Sequence, residues 1–220
     1  MIPYKYIAIE GNIGAGKSTL ANFLNKYFGG KILMEQFEEN ASLKEFYKNP
    51  SFALNTEIQF VLDRSLQLTN FHKQNHELII ADYIPQKSLI FARNNLSKKD
   101  FLLYEPIAKR LLMQHPQPDL IIYLNRTTSE LMENIKRRGR DYELSMGEDY
   151  LEGIHSGYEK YLFAMCNCPI VEINAREIDL KKPEQLAAAF QRIIGADYAP
   201  TRRKVDLKTL VNFSKVNTDV

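Results

Sequence analysis

The 220-residue sequence has little cysteine, no large excess of either charge and no long apolar run. Its two cysteines, Cys166 and Cys168, are too few for a tetrahedral zinc site and too close in sequence for a usual structural disulfide, so we expect two reduced thiols. The formal net charge is +2, which gives no support for a nucleic-acid or membrane surface. The apolar run at the N-terminus is too short for a signal peptide or a spanning helix. These absences favour a soluble, cytoplasmic protein with no nucleic-acid or membrane partner.

Five short apolar runs indicate buried strands, and stretches with helical spacing lie between them. The predicted strands are at 6–11, 31–36, 77–83, 119–125 and 169–174. The predicted helices are at 17–28, 53–73, 98–114, 127–138, 147–163 and 183–194. The alternation predicts an α/β domain over 1–195, with a parallel sheet covered by helices on both faces. We expect residues 196–220 to form a C-terminal extension, whose Arg-Arg-Lys run is an exposed basic patch.

The most specific motif is a phosphate-binding loop between the first strand and the first helix. Gly11, Gly16, Lys17 and Ser18 fit G-x-x-x-x-G-K-[ST], in which backbone N–H groups and a helix N-terminus surround the phosphates. Lys17 is expected to reach the β- and γ-phosphates, and the Ser18 hydroxyl to ligate Mg²⁺. The predicted donor is ATP with Mg²⁺, bound by Gly11, Asn12, Ile13, Gly14, Ala15, Gly16, Lys17, Ser18 and Thr19.

A cluster of basic residues lies near the end of the predicted helix 127–138. Such cations can simply complement the negative end of the helix dipole. In a chain with a phosphate-binding loop, they can instead surround the phosphoryl group that is transferred. We therefore predict a lid at about 136–147 that bends at Gly139, closes over ATP and excludes water. Arg138 and Arg140 are expected to bind ATP, and Arg138 also to act in catalysis.

Several stretches together resemble the deoxyribonucleoside kinases of the P-loop superfamily, over about residues 7–194. They are GNIGAGKST, Met34–Glu35, FYKNP at 46–50, ALNTEIQFVLDR at 53–64, ADYIPQKSLIFA at 81–92, and RRGRDYE followed by DYLEGIH. Only the first is common outside that family. Within the family, Ala81–Tyr83 and a glutamate in the 53–64 helix are most similar to the bacterial deoxyguanosine and deoxyadenosine kinases. The resemblance implies a P-loop NTPase-type three-layer fold with a five-stranded parallel sheet, a helical-hairpin lid and a homodimer.

The resemblance also implies roles for particular residues. Glu35 matches the glutamate proposed to take the proton from the sugar 5′-hydroxyl, and a carboxylate near that oxygen can do so. Asp82 is expected to hold Mg²⁺ through water, with the role of base as its alternative. Many relatives have Glu/Asp-Arg-Ser at 82–84, so the chain lacks an arginine that they use on phosphate. Tyr47 and Glu143 match the pair that holds the 3′-hydroxyl.

The helix at 53–64 suggests which base is accepted. Glu57 and Arg64 are seven residues apart and therefore share a helix face. Most relatives have glutamine in place of Glu57, and an ionised glutamate can only accept hydrogen bonds, which suits the N1–H and N2–H₂ donors of guanine. Lys87 and Arg64 would donate to O6 and N7. We therefore predict deoxyguanosine as the acceptor, with deoxyadenosine as the alternative if Glu57 is protonated or water intervenes. Glu57 and Arg64 could also simply pair with each other.

Two other functions use the same loop. A nucleoside monophosphate kinase needs arginines for the phosphate of its acceptor, and the segment 35–57 contains none. A regulatory P-loop NTPase needs switch elements and a partner surface, and ATPase activity without a nucleoside would favour it. The sequence therefore favours a deoxynucleoside kinase over both.

Overall fold

The computed structural model describes residues 2–36, 41–162, 164 and 167–216. Its strands are β1 (Tyr6–Gly11), β2 (Lys31–Leu33), β3 (Ile79–Ala81), β4 (Leu120–Asn125), β5 (Ile170–Asn174) and β6 (Arg202–Val205). Its helices are α1 (Lys17–Phe28), α2 (Ala41–Lys48), α3 (Ala53–Phe71), α4 (Lys87–Asn95), α5 (Lys98–Leu112), α6 (Thr128–Arg138), α7 (Glu148–Gly157), α8 (Pro183–Gly195) and α9 (Leu207–Val216). A π-helical turn, Tyr158–Leu162, continues α7, and a 3-10 turn, Asp141–Glu143, lies between α6 and α7.

The strands form one parallel sheet in the order β2-β3-β1-β4-β5-β6. β1 lies inside it, and Ala8 is paired with Ala81 on one side and Ile121 on the other. Alternate side chains of β1 enter two different apolar clusters, with Ile7 and Ile9 in one and Tyr6 and Ala8 in the other. Helices therefore cover both faces, and the predicted three-layer α/β fold is confirmed.

The sheet has six strands where five were expected. The additional strand, β6, pairs with β5 and lies in the predicted extension 196–220, while α9 packs on α8. Its sequence, Arg-Arg-Lys-Val, gives no apolar signal because β6 is an edge strand, where charged side chains are common. Arg202 is also not part of an exposed patch, since it pairs with Glu172 at 2.6 Å and with Glu159 at 2.7 Å. Arg203 and Lys204 are exposed as expected.

The six predicted helices are present, with shifts of a few residues at some ends. α2, α4 and α9 were not predicted as separate helices. No described helix is both long and apolar enough to cross a membrane. Cys166 lies outside the described residues, so the expected pair of thiols stays a prediction. Because the strands are parallel, their carboxyl ends meet at one edge of the sheet, and the residues after β1, β2 and β3 are brought together there.

Candidate active site

The phosphate-binding loop connects β1 to α1 and needs glycine for geometric reasons. Gly16 precedes the first residue of α1 with φ of 101°, a left-handed conformation that suits glycine. At Gly11, a Cβ atom would lie 2.6 Å from the carbonyl oxygen of Leu124 on β4. The loop can therefore pack against the sheet and turn into the helix only with glycine at these positions.

Three side-chain hydrogen bonds connect the loop to other elements. Asn12 Nδ2 donates to the carbonyl oxygen of Leu151 on α7 at 2.8 Å. Asn134 Nδ2 on α6 donates to the carbonyl oxygen of Gly14 at 2.8 Å, and Arg126 Nε donates to that of Ala15 at 3.2 Å. Sequence patterns did not single out Asn134 or Arg126, because single polar residues on a helix or after a strand carry no motif. The loop is thus tied to both helices that flank the predicted lid.

Lys17 lies in the loop with its ammonium group buried. Its Nζ donates to the carbonyl oxygens of Gly11 at 2.8 Å and Asn12 at 3.0 Å. Burial, and then the nearby charge of Lys87, lower the pKa of Lys17 to about 8. An added negative charge from phosphate oxygens would favour the protonated lysine, so the site is electrostatically suited to an anion.

Asp82 and Ser18 place hard oxygen atoms beside this loop. Ser18 Oγ donates to Asp82 Oδ2 at 2.6 Å, and the backbone N–H of Glu35 donates to Asp82 Oδ1 at 2.7 Å. The described residues hold no group of three or more His, Cys, Asp or Glu side chains that could ligate a metal. A hydroxyl and one carboxylate fit Mg²⁺, which usually keeps waters and binds phosphate oxygens instead of a protein cage.

Glu35 is held by two cations. Its carboxylate pairs with Arg64 from α3 and with Lys87 at the start of α4. Burial alone would raise the pKa of Glu35, but the charges of Lys87 and Arg64 outweigh it and lower that pKa to about 2. Glu35 is therefore ionised at neutral pH. Arg64 also donates to Ser88, and its guanidinium lies 5.0 Å from the ring centroid of Tyr83.

Glu57 lies elsewhere on α3 and is 3% exposed. Its Oε1 accepts a hydrogen bond of 2.6 Å from Nδ2 of Asn95, the last residue of α4. Burial raises the pKa of Glu57 to about 7, although the hydrogen bond from Asn95 and the charge of Arg64 oppose that rise. The alternative in which Glu57 simply pairs with Arg64 is not observed, since Arg64 pairs with Glu35 and Glu57 accepts from Asn95.

The lid segment carries the residues predicted to close the site. α6 ends at Arg138, and Gly139 follows it with φ of 70°. The carboxylate of Glu143 is buried and pairs with Arg138 and, at 3.4 Å, with Arg140. Glu143 is thus neutralised by both lid arginines.

Aromatic rings connect this lid to α2. Tyr142, next to Glu143, stacks on Tyr47 with ring centroids 5.9 Å apart and an interplanar angle of 22°. Tyr150 meets Tyr47 edge-on at 6.4 Å. The 3-10 turn Asp141–Glu143 in the lid segment therefore contacts α2, which carries the tyrosine predicted to bind the sugar.

A cavity of about 260 Å³ joins these groups. Lys17, Ser18, Glu35 and Asp82 line it beside the phosphate-binding loop, and Glu57 and Asn95 line it between α3 and α4, the two parts here named its phosphate end and its base end after their predicted occupants. The remaining predicted residues on its wall are Ile13, Gly14, Gly16, Thr19, Tyr47, Arg64, Lys87, Arg138, Arg140 and Glu143. Gly11, Asn12 and Ala15 are not on its wall. Lining residues that the sequence did not single out are Leu43, Phe46, Thr56, Phe60, Ser88, Phe91, Asn95 and Tyr150.

A parallel sheet with this loop, and with Glu35 and Asp82 beside it on the wall of a cavity, is the arrangement of a P-loop protein that binds a nucleotide. Comparison with known proteins gives the family. The chain belongs to the deoxynucleoside kinase family, whose model matches residues 7–194. The chemistry of the family is phosphoryl transfer to a deoxynucleoside, and ATP is the donor.

Named relatives include enzymes for different purines. The chain is 38% identical to a deoxyguanosine kinase of Bacillus subtilis over 158 residues, which are 70% of this chain and 76% of that protein. It is 30% identical to a deoxyadenosine kinase of Dictyostelium discoideum over 210 residues, 90% of this chain and 80% of that protein. Among solved structures, deoxyadenosine kinase from M. mycoides with bound dATP matches with a TM-score of 0.71 and 30% identity, covering 81% of this chain and 94% of that one.

Proposed function

We propose that the enzyme phosphorylates the 5′-hydroxyl of a purine deoxynucleoside, with deoxyguanosine preferred, and so produces the 5′-monophosphate for deoxynucleotide salvage. The observation that carries this proposal is Glu57, a buried carboxylate on the wall at the base end of the cavity. A base that reaches this end meets a group that can accept hydrogen bonds but, when ionised, cannot donate them.

Guanine is complementary to a carboxylate that only accepts hydrogen bonds. Its N1–H and N2–H₂ are adjacent donors that can meet both oxygens of Glu57. Arg64 and Lys87 then supply donors for O6 and N7. A guanidinium has five N–H donors and an ammonium has three, so their contacts with Glu35 and Ser88 leave further donors for a base.

Deoxyadenosine is the second candidate, because the pKa of Glu57 is raised to about 7. A protonated carboxyl group can donate to N1 of adenine and accept from its amino group. The wild-type preference is therefore expected to depend on pH, with guanine favoured as Glu57 ionises.

At the phosphate end, Glu35 orients the 5′-hydroxyl and takes its proton. The 5′-oxygen forms a bond to the γ-phosphorus, the bond from that phosphorus to the β–γ bridging oxygen breaks, and ADP leaves. Because its pKa is about 2, Glu35 is a weak base and accepts the proton late, as the new P–O bond forms. Ser18, directly, and Asp82, through water, would hold Mg²⁺, which would supply charge neutralisation on the phosphates when bound.

The lid completes the sugar and donor sites. Tyr47 and Glu143 hold the 3′-hydroxyl, and Arg138 and Arg140 bind the phosphates of ATP. Glu143 pairs with both arginines, so closure of the lid positions the sugar site and the phosphate site together. Gly11 to Thr19 form the remaining ATP contacts.

Two alternatives use the same fold. A nucleoside monophosphate kinase would need free cations for the acceptor phosphate, whereas Arg64 and Lys87 pair with Glu35 in the cavity. A regulatory NTPase would hydrolyse ATP with no nucleoside present. The first is disfavoured by the ion pairs, and the second is tested by the assay below.

We also propose a cytoplasmic homodimer. Exposed apolar side chains repeat every four residues on α3, at Ile58, Leu62 and Leu66, and others lie on the neighbouring α5, at Leu102, Leu103 and Ile107. This two-helix face, spanning 58–66 and 102–107, is suited to a second copy of the chain. Leu66→Glu is expected to give a monomer by sedimentation, with Lys109→Glu on α5 as a charge control. We also propose that residues 1–195 form the kinase domain and that the following segment is an extension of it, since β6 in that segment pairs with β5.

The test is a panel assay with ATP, Mg²⁺, each of the four deoxynucleosides and the ribonucleosides. We expect kcat/KM to be highest for deoxyguanosine, and a site that hydrogen-bonds its substrate can discriminate by orders of magnitude. Glu57→Gln with Lys87→Asp should shift preference away from guanine, while Gln59→Glu, exposed on α3, should not. A wild-type preference for a pyrimidine would refute the purine assignment, and an unchanged preference in the double variant would remove Glu57 and Lys87 as its cause.

A further inference from the structure

Asn95, the last residue of α4, has no predicted role, yet it contacts both Glu57 and Tyr150. Its Nδ2 donates to Glu57 at 2.6 Å. The phenol of Tyr150 also lies near the side chain of Asn95, which lowers the pKa of that phenol against the effect of burial, and the Tyr150 ring meets the Tyr47 ring edge-on at 6.4 Å. A series of contacts therefore runs from Glu57 to the tyrosine predicted to bind the sugar.

The surroundings of Glu57 are mostly unfavourable to its charge. Burial is the largest effect, and Glu35 adds a like charge. The side chains that face Glu57 from the packed elements are Tyr47 on α2, Arg64 on α3, Tyr104 on α5 and Tyr150 on α7. Of these, Arg64 carries a positive charge, but its guanidinium is already paired with Glu35.

Asn95 therefore has a particular electrostatic effect. A hydrogen bond donated to a carboxylate stabilises its ionised form over its protonated form. An amide can donate in this way at every pH, because it does not titrate in the range where the enzyme works.

We propose that Asn95 is a specificity-determining positioning residue, which holds Glu57 in its accepting state and connects it through Tyr150 to Tyr47. This inference rests on the proposed function. It adds that purine preference depends on a residue that need not touch the substrate.

The experiment compares the wild type with Asn95→Asp, which keeps the shape but removes the Nδ2 donor, and with Asn95→Ala. Asn55→Ala is the matched control, since Asn55 is an exposed asparagine on α3, whereas Asn94 donates to Asn95 Oδ1 at 3.3 Å. The ratio of kcat/KM for deoxyguanosine to that for deoxyadenosine is measured from pH 5.5 to 9. This ratio is expected to rise with pH as Glu57 ionises. In the Asn95 variants we expect the midpoint of that rise to move up by about one pH unit, so that the ratio at neutral pH falls about tenfold.

A binding measurement separates this role from a structural one. Deoxyguanosine should bind ionised Glu57, so at pH 7 its binding should release about half a proton in the wild type and nearly one in Asn95→Asp. Calorimetry in buffers of different ionisation enthalpy gives this number without turnover. Thermal melting and ATP binding check that each variant folds.

The results that would overturn this inference differ from the results that would refute the proposed function. An unchanged midpoint and unchanged proton release in a folded Asn95→Asp or Asn95→Ala variant would overturn the inference, even if the wild type prefers deoxyguanosine. An equal effect of Asn55→Ala would overturn it too. A wild type that prefers a pyrimidine would instead refute the proposed function.

Discussion

Glu35→Gln is the most informative single change, because it keeps the side-chain shape and removes the charge between two cations. Loss of a general base typically lowers the rate by about 10²- to 10⁴-fold, or about 3 to 5 kcal/mol on the barrier. ATP binding should be retained, since the contact from this position to Asp82 comes from the backbone N–H. We therefore expect a large fall in kcat with little change in the affinity for ATP.

The same change should lower stability. The pKa of Glu35 falls from its usual value of 4.5 to about 2, which corresponds to about 3 kcal/mol in favour of the folded state. This agrees with the lower end of the roughly 3–5 kcal/mol lost when one partner of a buried ion pair is removed. Because the pKa is depressed on folding, the contribution is present above pH 4.5 and is lost as the pH falls towards 2. The difference between wild type and variant should therefore shrink in that interval.

The activity assay follows monophosphate formation and gives kcat and KM. Calorimetry measures ATP binding, and urea unfolding is measured at pH 7 and at pH 3. Glu45→Gln, on the exposed side of α2, is the matched control and should leave all three measurements near wild type. Near-normal turnover in folded Glu35→Gln would refute the role of Glu35 as proton acceptor. Asp82→Asn would then be the decisive variant.

Three further predictions concern other parts of the molecule. Arg138→Ala should lower kcat more than it raises KM for ATP, because a lid arginine meets charge that develops during transfer, and a raised KM with unchanged kcat in steady-state assays would contradict this. Ser18→Ala should raise the Mg²⁺ concentration needed for half-maximal activity about tenfold or more, with Ser51→Ala as control, and an unchanged Mg²⁺ titration would exclude Ser18 as a ligand. Arg202→Met should reduce the urea-unfolding free energy by about 1 to 3 kcal/mol, because the buried carboxylate of Glu172 loses its arginine at 2.6 Å and keeps only Asn125 at 2.8 Å and Lys204 at 3.7 Å. Arg203→Met, on the exposed side of β6, should change it little, and equal stability of the two variants would show that the pair is unimportant.

Several features followed from local sequence patterns. The phosphate-binding loop was predicted with the helix that follows it, since α1 begins at Lys17 as expected. The apolar runs predicted five of the six strands, because strands of a parallel sheet are buried on both faces and carry continuous apolar residues. These patterns depend on neighbours in the chain, and so they can be recognised without the fold.

β6 escaped prediction because an edge strand needs no apolar run, and its basic residues resembled an exposed patch. Most of the predicted site residues line one cavity, but the ion pairs among them differ from the simplest expectation. Arg64 and Lys87 both contact Glu35, although they are 29 and 52 residues away from it in the chain. Their base-binding role stays a prediction.

The sequence by itself thus determined the class of fold, the phosphate-binding loop and most of the predicted residues that line the cavity. Only the tertiary structure decided how the charges are partnered, that Glu57 is buried against Asn95 with a pKa of about 7, and that the last strand joins the sheet. The physical reason is the separation in sequence of the residues that determine each property. Backbone conformation and amphipathic spacing are set by residues close in sequence, whereas ion pairing, burial and the pKa of a side chain depend on groups that approach only when distant elements pack together.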